Sequence, residues 1–257
     1  MRFIKSVIHI INYKTLLVTT IAVISTWFCI QKSIFAEFPL TIVGISIVFP
    51  IVFSINSAYR RRERALIALA DATGNAMGIY QIAKNQMENP DEVLLEELRT
   101  KLVHLFVCLK QFLVAPKENM EQNEDKIFEA IGDVSSHFKE LRKNGLAGRF
   151  ISRLSQYITQ IAVSIDNMKV IYNYRTPRTL RAYSKIFIYS FPVLYAPYFA
   201  LTAINFEPHL SYFMPVLFSF ILVSLDNIQE HLENPYDQIG EDDITLNINE
   251  IERMLGK

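Results

Sequence analysis

The chain has 257 residues, and its 26 Lys+Arg balance 26 Asp+Glu, so the formal net charge is zero. Nothing in that balance points to nucleic acid. The two cysteines, Cys29 and Cys108, lie far apart without CxxC spacing, which argues for free thiols over a disulfide framework or a zinc site. The 51% hydrophobic content and mean hydropathy of +0.19 exceed what a soluble globule of this length usually carries, and the excess lies toward the two ends.

Residues 15–31, TLLVTTIAVISTWFCIQ, carry no charge, and neither do residues 38–59, FPLTIVGISIVFPIVFSINSAY. Each approaches the ~20 residues that cross a ~30 Å hydrocarbon core. The first run is too long for a cleavable signal peptide and lacks a small-residue cleavage site. The connection from Lys32 to Glu37 is short, so the two runs form a helical hairpin. Within the second run, Ile42, Ile45, Phe49 and Phe53 recur at three- or four-residue spacing and share one helix face, with Ser46 close to it. Such a face meets lipid, other helices or a pore.

The stretch from about 60 to 180 is helical throughout, with no strand-like alternation. Its opening block, Arg60-Arg61-Arg62-Glu63-Arg64, marks a cytoplasmic membrane border. Gly74 and Gly78, with Ala65, Ala68, Ala70, Ala72 and Ala76, give the next helix small sides that permit close approach, in an oligomer axis or in ordinary bundle packing. Asn89-Pro90-Asp91 predicts a stop followed by a new N-cap. Leu94, Leu95, Leu98, Leu102, Leu105, Phe106 and Leu109 then form a helical stripe that ends at Ala115-Pro116. Residues 117–126 are expected to be a polar connection. Ile127, Ile131, Val134, Phe138 and Leu141 make the next stripe, broken at Asn144-Gly145, and a last helix runs from about Leu146 to Tyr172.

A second apolar pair follows: residues 186–206, IFIYSFPVLYAPYFALTAINF, and residues 210–225, LSYFMPVLFSFILVSL, joined by Glu207-Pro208-His209. Pro50, Pro192, Pro197 and Pro215 inside the runs predict kinks or broken turns. The expected spans are about 13–32, 38–59, 184–206 and 209–228, followed by an acidic, irregular tail over 229–257. Basic residues flank the runs on the side away from the two short loops, which predicts loops outward and both termini inside. Enzyme signatures are absent: there is no P-loop, GxGxxG or GxSxG, and His9, His104, His137, His209 and His231 are scattered without ligand spacing.

Three ordered motifs are specific enough to carry a family resemblance. The second run ends Phe53-Ser54-Ile55-Asn56-Ser57-Ala58-Tyr59-Arg60-Arg61. The third is entered through Arg175-Thr176-Pro177, with Tyr183 following. The fourth is followed by Asn234-Pro235-Tyr236 and Gly240-Glu241-Asp242-Asp243-Ile244. In layout and in these motifs the chain resembles the bestrophins, including their bacterial members. It departs from them at Ser54, where an Arg is usual, at Tyr236-Asp237 in place of Phe-Gly, and at Thr179 or Leu180 in place of a second proline.

The resemblance implies an all-α membrane protein, with the whole chain forming one bestrophin-like unit. Four transmembrane helices in two hairpins would accompany a cytoplasmic helical bundle. It further implies a multi-pass location in a bacterial inner membrane or its equivalent, and a homopentamer that conducts chloride and other inorganic anions passively. The pore neck would carry Ile42, Ile45, Ser46, Phe49 and Phe53. An inner constriction would fall at Ile151 and Leu154, near Phe150. Membrane lipid and further copies of the chain are the partners implied, and no nucleic acid. No cofactor is required. A Ca²⁺ clasp would use Asn234, Asp242 and Asp243, since clustered oxygens suit a hard cation. His231 stands where a Gln ligand is expected, and an acidic solvated tail that caps the fourth helix or pairs with Arg60–Arg64 is the favoured account of the same residues. The alternative function is a non-conducting membrane scaffold or regulatory protein that retains the fold, motivated by the departures at Ser54 and Asp237.

Overall fold

The computed structural model describes residues 12–37, 39–88, 90–115, 117–174, 178–205, 210–236 and 243–256. The motif residues Arg175 to Pro177 and Gly240 to Asp242, the loop Glu207-Pro208-His209, and Phe38, Asn89 and Pro116 lie outside the described residues, as does the side chain of Ile42. Every regular element among the described residues is helical. The chain divides into two compact units, Met1–Arg60 with Arg175–Glu233, and Arg61–Tyr174 with Asn234–Lys257.

In the first unit, α1 (Tyr13–Gln31) begins at Asn12. The Asn12 side chain accepts from the backbone N–H of Lys14 at 2.9 Å, and Thr15 Oγ1 accepts from the Asn12 backbone N–H at 3.4 Å. This capping box satisfies donors that the first turn would otherwise leave orphaned. Helix α2 (Leu40–Gln86) then runs for 47 residues, so the expected second span and the helix expected after it are one continuous element. At 1.5 Å per residue it is about 70 Å long. Pro50 sits inside it and removes one intrahelical donor.

The expected third span is two helices, α6 (Arg178–Leu194) and α7 (Ala196–Asn205), separated at Tyr195. Pro197 in the first turn of α7 has no N–H to extend the preceding helix, so the ladder ends and restarts there. Helix α8 (Leu210–Glu233) follows. Helix α1 packs against α6, α7 and α8. The core between them is aromatic and β-branched, with Ile47, Ile51, Ile188, Phe191, Tyr195, Phe199, Leu222 and Val223 all buried. Two helical stretches, Tyr13–Gln31 and Tyr212–Glu233, are long and apolar enough to cross a membrane.

The second unit contains residues 61–86 of α2, then α3 (Glu92–Val114), a 3₁₀ turn (Lys117–Asn119), α4 (Met120–Lys143) and α5 (Gly148–Asn173). Asp91 caps α3 as expected, its side chain accepting from Val93 N–H at 2.9 Å. Helix α4 starts seven residues before its apolar stripe, so residues 120–126 are helical where a connection was expected. Glu121 in its first turn complements the helix dipole, and Glu124 pairs with Lys169 of α5. The break after α4 is a Schellman motif: Leu146 N–H donates to Leu141 C=O at 3.1 Å and Gly145 N–H to Arg142 C=O at 3.3 Å. Gly145 holds φ +95°, a conformation an L side chain rarely adopts.

The tail is more ordered than its acidic composition suggested. Ile244 and Leu246 are buried, and α9 (Ile248–Leu255) packs against α3 through Ile251 and Leu255. Both cysteines are free and buried.

Candidate functional site

Helix α2 presents two faces within the first unit. Ile47, Ile51, Ser54 and Ala58 are buried, following the three- and four-residue spacing that turns one stripe toward the chain's own core. On the other side Ile45 is 61% exposed, Phe49 60% and Phe53 53%. Ser46 is exposed beside them. Phe49 and Phe53, one turn apart, meet edge to face with centroids 4.5 Å apart. The expected neck residues Ile45, Ser46, Phe49 and Phe53 thus lie together on one exposed face of α2 among the described residues.

Ser54 is fully buried, and its hydroxyl has no hydrogen-bond partner among the described residues. The position where the resembled motif carries a cation therefore holds a small neutral side chain turned into the core.

The residues expected at the inner constriction, Ile151 and Leu154, lie on α5 in the second unit. Leu154 on α5 is fully buried in the core of the second unit, and Ile151 is half-buried and packs on that core. Helical spacing turns 154, 158, 161, 165 and 168 inward together, so Leu154 packs in the unit's own core. Arg149 lies over the Phe150 ring at 4.7 Å.

At its C-terminal end α8 carries a polar belt that the sequence did not single out. Asp226, Asn227, Gln229 and Glu233 are all buried. Asn12 Nδ2 donates to Asn227 Oδ1 at 2.9 Å, and Asn227 Nδ2 donates to Thr15 Oγ1 at 3.5 Å. Glu230 pairs with Lys14 and, at 2.7 Å, with Lys185, while Glu233 pairs with Arg181. Helices α1, α6 and α8 are thus tied by charge-assisted bonds where they would otherwise hold unpaired buried charges. The signal available in the sequence was the run Asp226-Asn227-Ile228-Gln229-Glu230 on a helix otherwise made of apolar residues.

Of the residues assigned to a Ca²⁺ clasp, Asp242 lies outside the described residues. Ile244 N–H donates to Pro235 C=O at 2.7 Å, which brings the two ends of that loop, and with them Asn234 and Asp243, close together. Asn234 Oδ1 accepts from Tyr236 N–H at 3.4 Å and keeps a second lone pair.

No family model matches the chain, and no curated protein matches it in sequence. Solved structures do. A bacterial bestrophin homologue from Klebsiella pneumoniae superposes with a TM-score of 0.78 at 18% identity, over 95% of this chain and 96% of that one. A single-residue variant of the Klebsiella pneumoniae homologue gives 0.76 at 20% identity, over 98% and 97%. A structure described as a membrane protein gives 0.79 at 17% identity, over 94% and 97%. With near-complete coverage in both directions, the chain has the bestrophin fold.

Proposed function

We propose that this protein is a bestrophin-like anion channel, a homopentamer with its pore on the symmetry axis and no catalytic activity. The observation that supports it best is the exposed stripe Ile45, Phe49 and Phe53, standing on the face of α2 opposite the chain's own core. In a pentamer five such stripes would ring the axis, with Ser46 and Ile42 completing the neck. An apolar ring gates by dewetting, and ring edges carry partial positive charge that faces an anion without a fixed cation. On this reading α1, the upper part of α2, α6 with α7, and α8 are the four membrane passes, paired in two hairpins. The second unit lies on the cytoplasmic side with both termini. The many exposed apolar side chains of the first unit support lipid as its surroundings.

Planar-bilayer recording of the purified protein tests the proposal. Anion-selective current is expected, with a chloride conductance that rises in Phe49→Ala and Ile45→Ser. A folded pentamer that passes no anion current at any Ca²⁺ or pH condition overturns it. Ca²⁺ is an accessory and not a requirement on this reading, with Asn234, Asp242 and Asp243 as the residues that would hold it. Current that ignores Ca²⁺ assigns the tail to capping and core packing. Particle images in detergent check the five-fold symmetry.

A second reading, a non-conducting scaffold of the same fold, is favoured by one feature: Ser54 supplies no charge beside the neck. It predicts that substitutions at Ile45 and Phe49 leave the protein's cellular role unchanged.

A further inference from the structure

His137 on α4 is fully buried, an uncommon place for an imidazole, and its two nitrogens face different surroundings. Nε2 lies 3.0 Å from the carbonyl of Leu94 on α3, so it carries the proton and donates. A neutral ring with that tautomer has a bare lone pair on Nδ1. That lone pair faces carboxylates: Glu140 Oε2 at 3.1 Å, one turn further along α4, and Glu97 Oε2 at 3.9 Å, on α3. Nδ1 has no hydrogen-bond partner among the described residues, and the Glu140 approach lacks hydrogen-bond geometry. With the ring in that neutral form, three groups that only accept converge, their ligand atoms all within 4.8 Å of one another. Lone pairs and negative charges turned on one another repel unless a cation sits between them.

We propose that His137, Glu97 and Glu140 form a divalent transition-metal site that clips α3 to α4, with Zn²⁺ as the ion its chemistry suits. Tetrahedral Zn²⁺ takes imidazole nitrogen at about 2.0–2.1 Å and carboxylate oxygen at about 2.0–2.2 Å, so its ligand atoms sit about 3.4 Å apart. The observed separations of 3.1 Å and 3.9 Å bracket that value. The Nε2–H bond to Leu94 C=O is the outer contact that fixes the tautomer and ring orientation of a metal-bound histidine. A nitrogen ligand disfavours Ca²⁺ and Mg²⁺, which take oxygen. The carboxylates are half-exposed, leaving the site open to solvent for ion entry and for a water as fourth ligand. This site lies wholly within the second unit and does not depend on conduction.

The test uses the full chain in detergent, stripped with a chelator and dialysed against Zn²⁺, with Ca²⁺ in parallel. One Zn²⁺ per chain is expected at micromolar affinity, with no Ca²⁺ competition and a melting temperature that rises with Zn²⁺. Glu97→Gln and Glu140→Gln, both at exposed positions, keep the fold by circular dichroism and weaken Zn²⁺ binding at least tenfold each. Either of two results overturns the proposal: no stoichiometric Zn²⁺ on the folded chain, or binding that both glutamine variants leave intact. Nitrogen-15 shifts showing a doubly protonated His137 at neutral pH in the metal-free and Zn²⁺-saturated protein alike also overturn it, because Nδ1 then serves only as an ion-pair donor.

Discussion

In the unit that holds α1, α6, α7 and α8, the side chains Leu16, Ile24, Phe28, Val193, Leu194 and Phe213 stand exposed. In the unit that holds α3, α4 and α5, the Leu98, Leu102, Leu105 and Leu109 stripe is buried and the charged residues of the same helices face outward. Both are bundles of comparable size, yet they spend their apolar residues differently. In the second unit burial removes leucine from water, at roughly 25 cal/mol per Å². In the first unit the exterior is itself apolar, and on the proposed function its solvent is lipid. Lipid gives leucine no reason to prefer the interior, so the core must be held by shape and by polar ties. That matches what the first unit contains: stacked Phe191 and Tyr195, centroids 4.7 Å apart, and the belt of Asn12, Asn227, Glu230 and Glu233 with their partners.

The largest expected effect separates the units directly. Leu102→Ala leaves a cavity in the second unit and should cost about 3 kcal/mol. Ile24→Ala, at a position 58% exposed in the first unit, should change stability by less than about 0.5 kcal/mol in detergent. Thermal or denaturant unfolding of the two variants measures the gap. Equal losses would mean that Ile24 is covered in the assembled protein and that the apolar exterior of this unit meets protein more than lipid.

The next effect tests the polar ties. The Glu233 side chain is only 6% exposed, and Arg181 is its ion-pair partner. Arg181→Met strands that carboxylate and should destabilise the first unit by about 2 kcal/mol, toward the low side for a buried pair because Arg181 is itself a quarter exposed. Arg181→Met with Glu233→Leu should recover most of the loss. A double variant as unstable as the single one would assign the residues a packing role, and the electrostatic contrast between the units would fall.

What the sequence made legible follows the range of the forces involved. The Asp91 cap and the Asn144-Gly145 stop depend on residues within one turn, and both formed as expected. The stripe on α2 was legible because periodicity alone puts Ile45, Phe49 and Phe53 on one face. The burial of Leu154 is not legible at that residue alone, because it depends on which way α5 turns against distant helices; its neighbours Ile158, Ile161 and Ile165 carry that information. The short tail helix has a legible period, with Ile248, Ile251 and Leu255 three and four residues apart, whereas Ile244 and Leu246 lie outside any regular element and are buried only by the surface they dock on. His137 looked solitary for the same reason. Glu140 lies three residues away, but Glu97 arrives only when α3 packs beside α4.

The smallest effect concerns the glycines of α2, where close approach has two candidate causes. A Cβ on Gly78 would sit 3.0 Å from the Tyr157 ring, so this glycine serves the unit's own packing of α2 on α5. A Cβ on Gly74 would meet nothing within 4 Å. Neither position has a positive φ that would strain alanine. A helix-interior Gly→Ala change stabilises by roughly 0.5–1 kcal/mol through backbone entropy alone. Gly74→Ala should deliver that gain in full. Gly78→Ala should lose it to the displaced Tyr157 ring and regain it in Gly78→Ala with Tyr157→Leu. If Gly74→Ala instead destabilises the assembled protein, a second chain fills the space beside it, and the small-residue face of α2 is an interface between subunits.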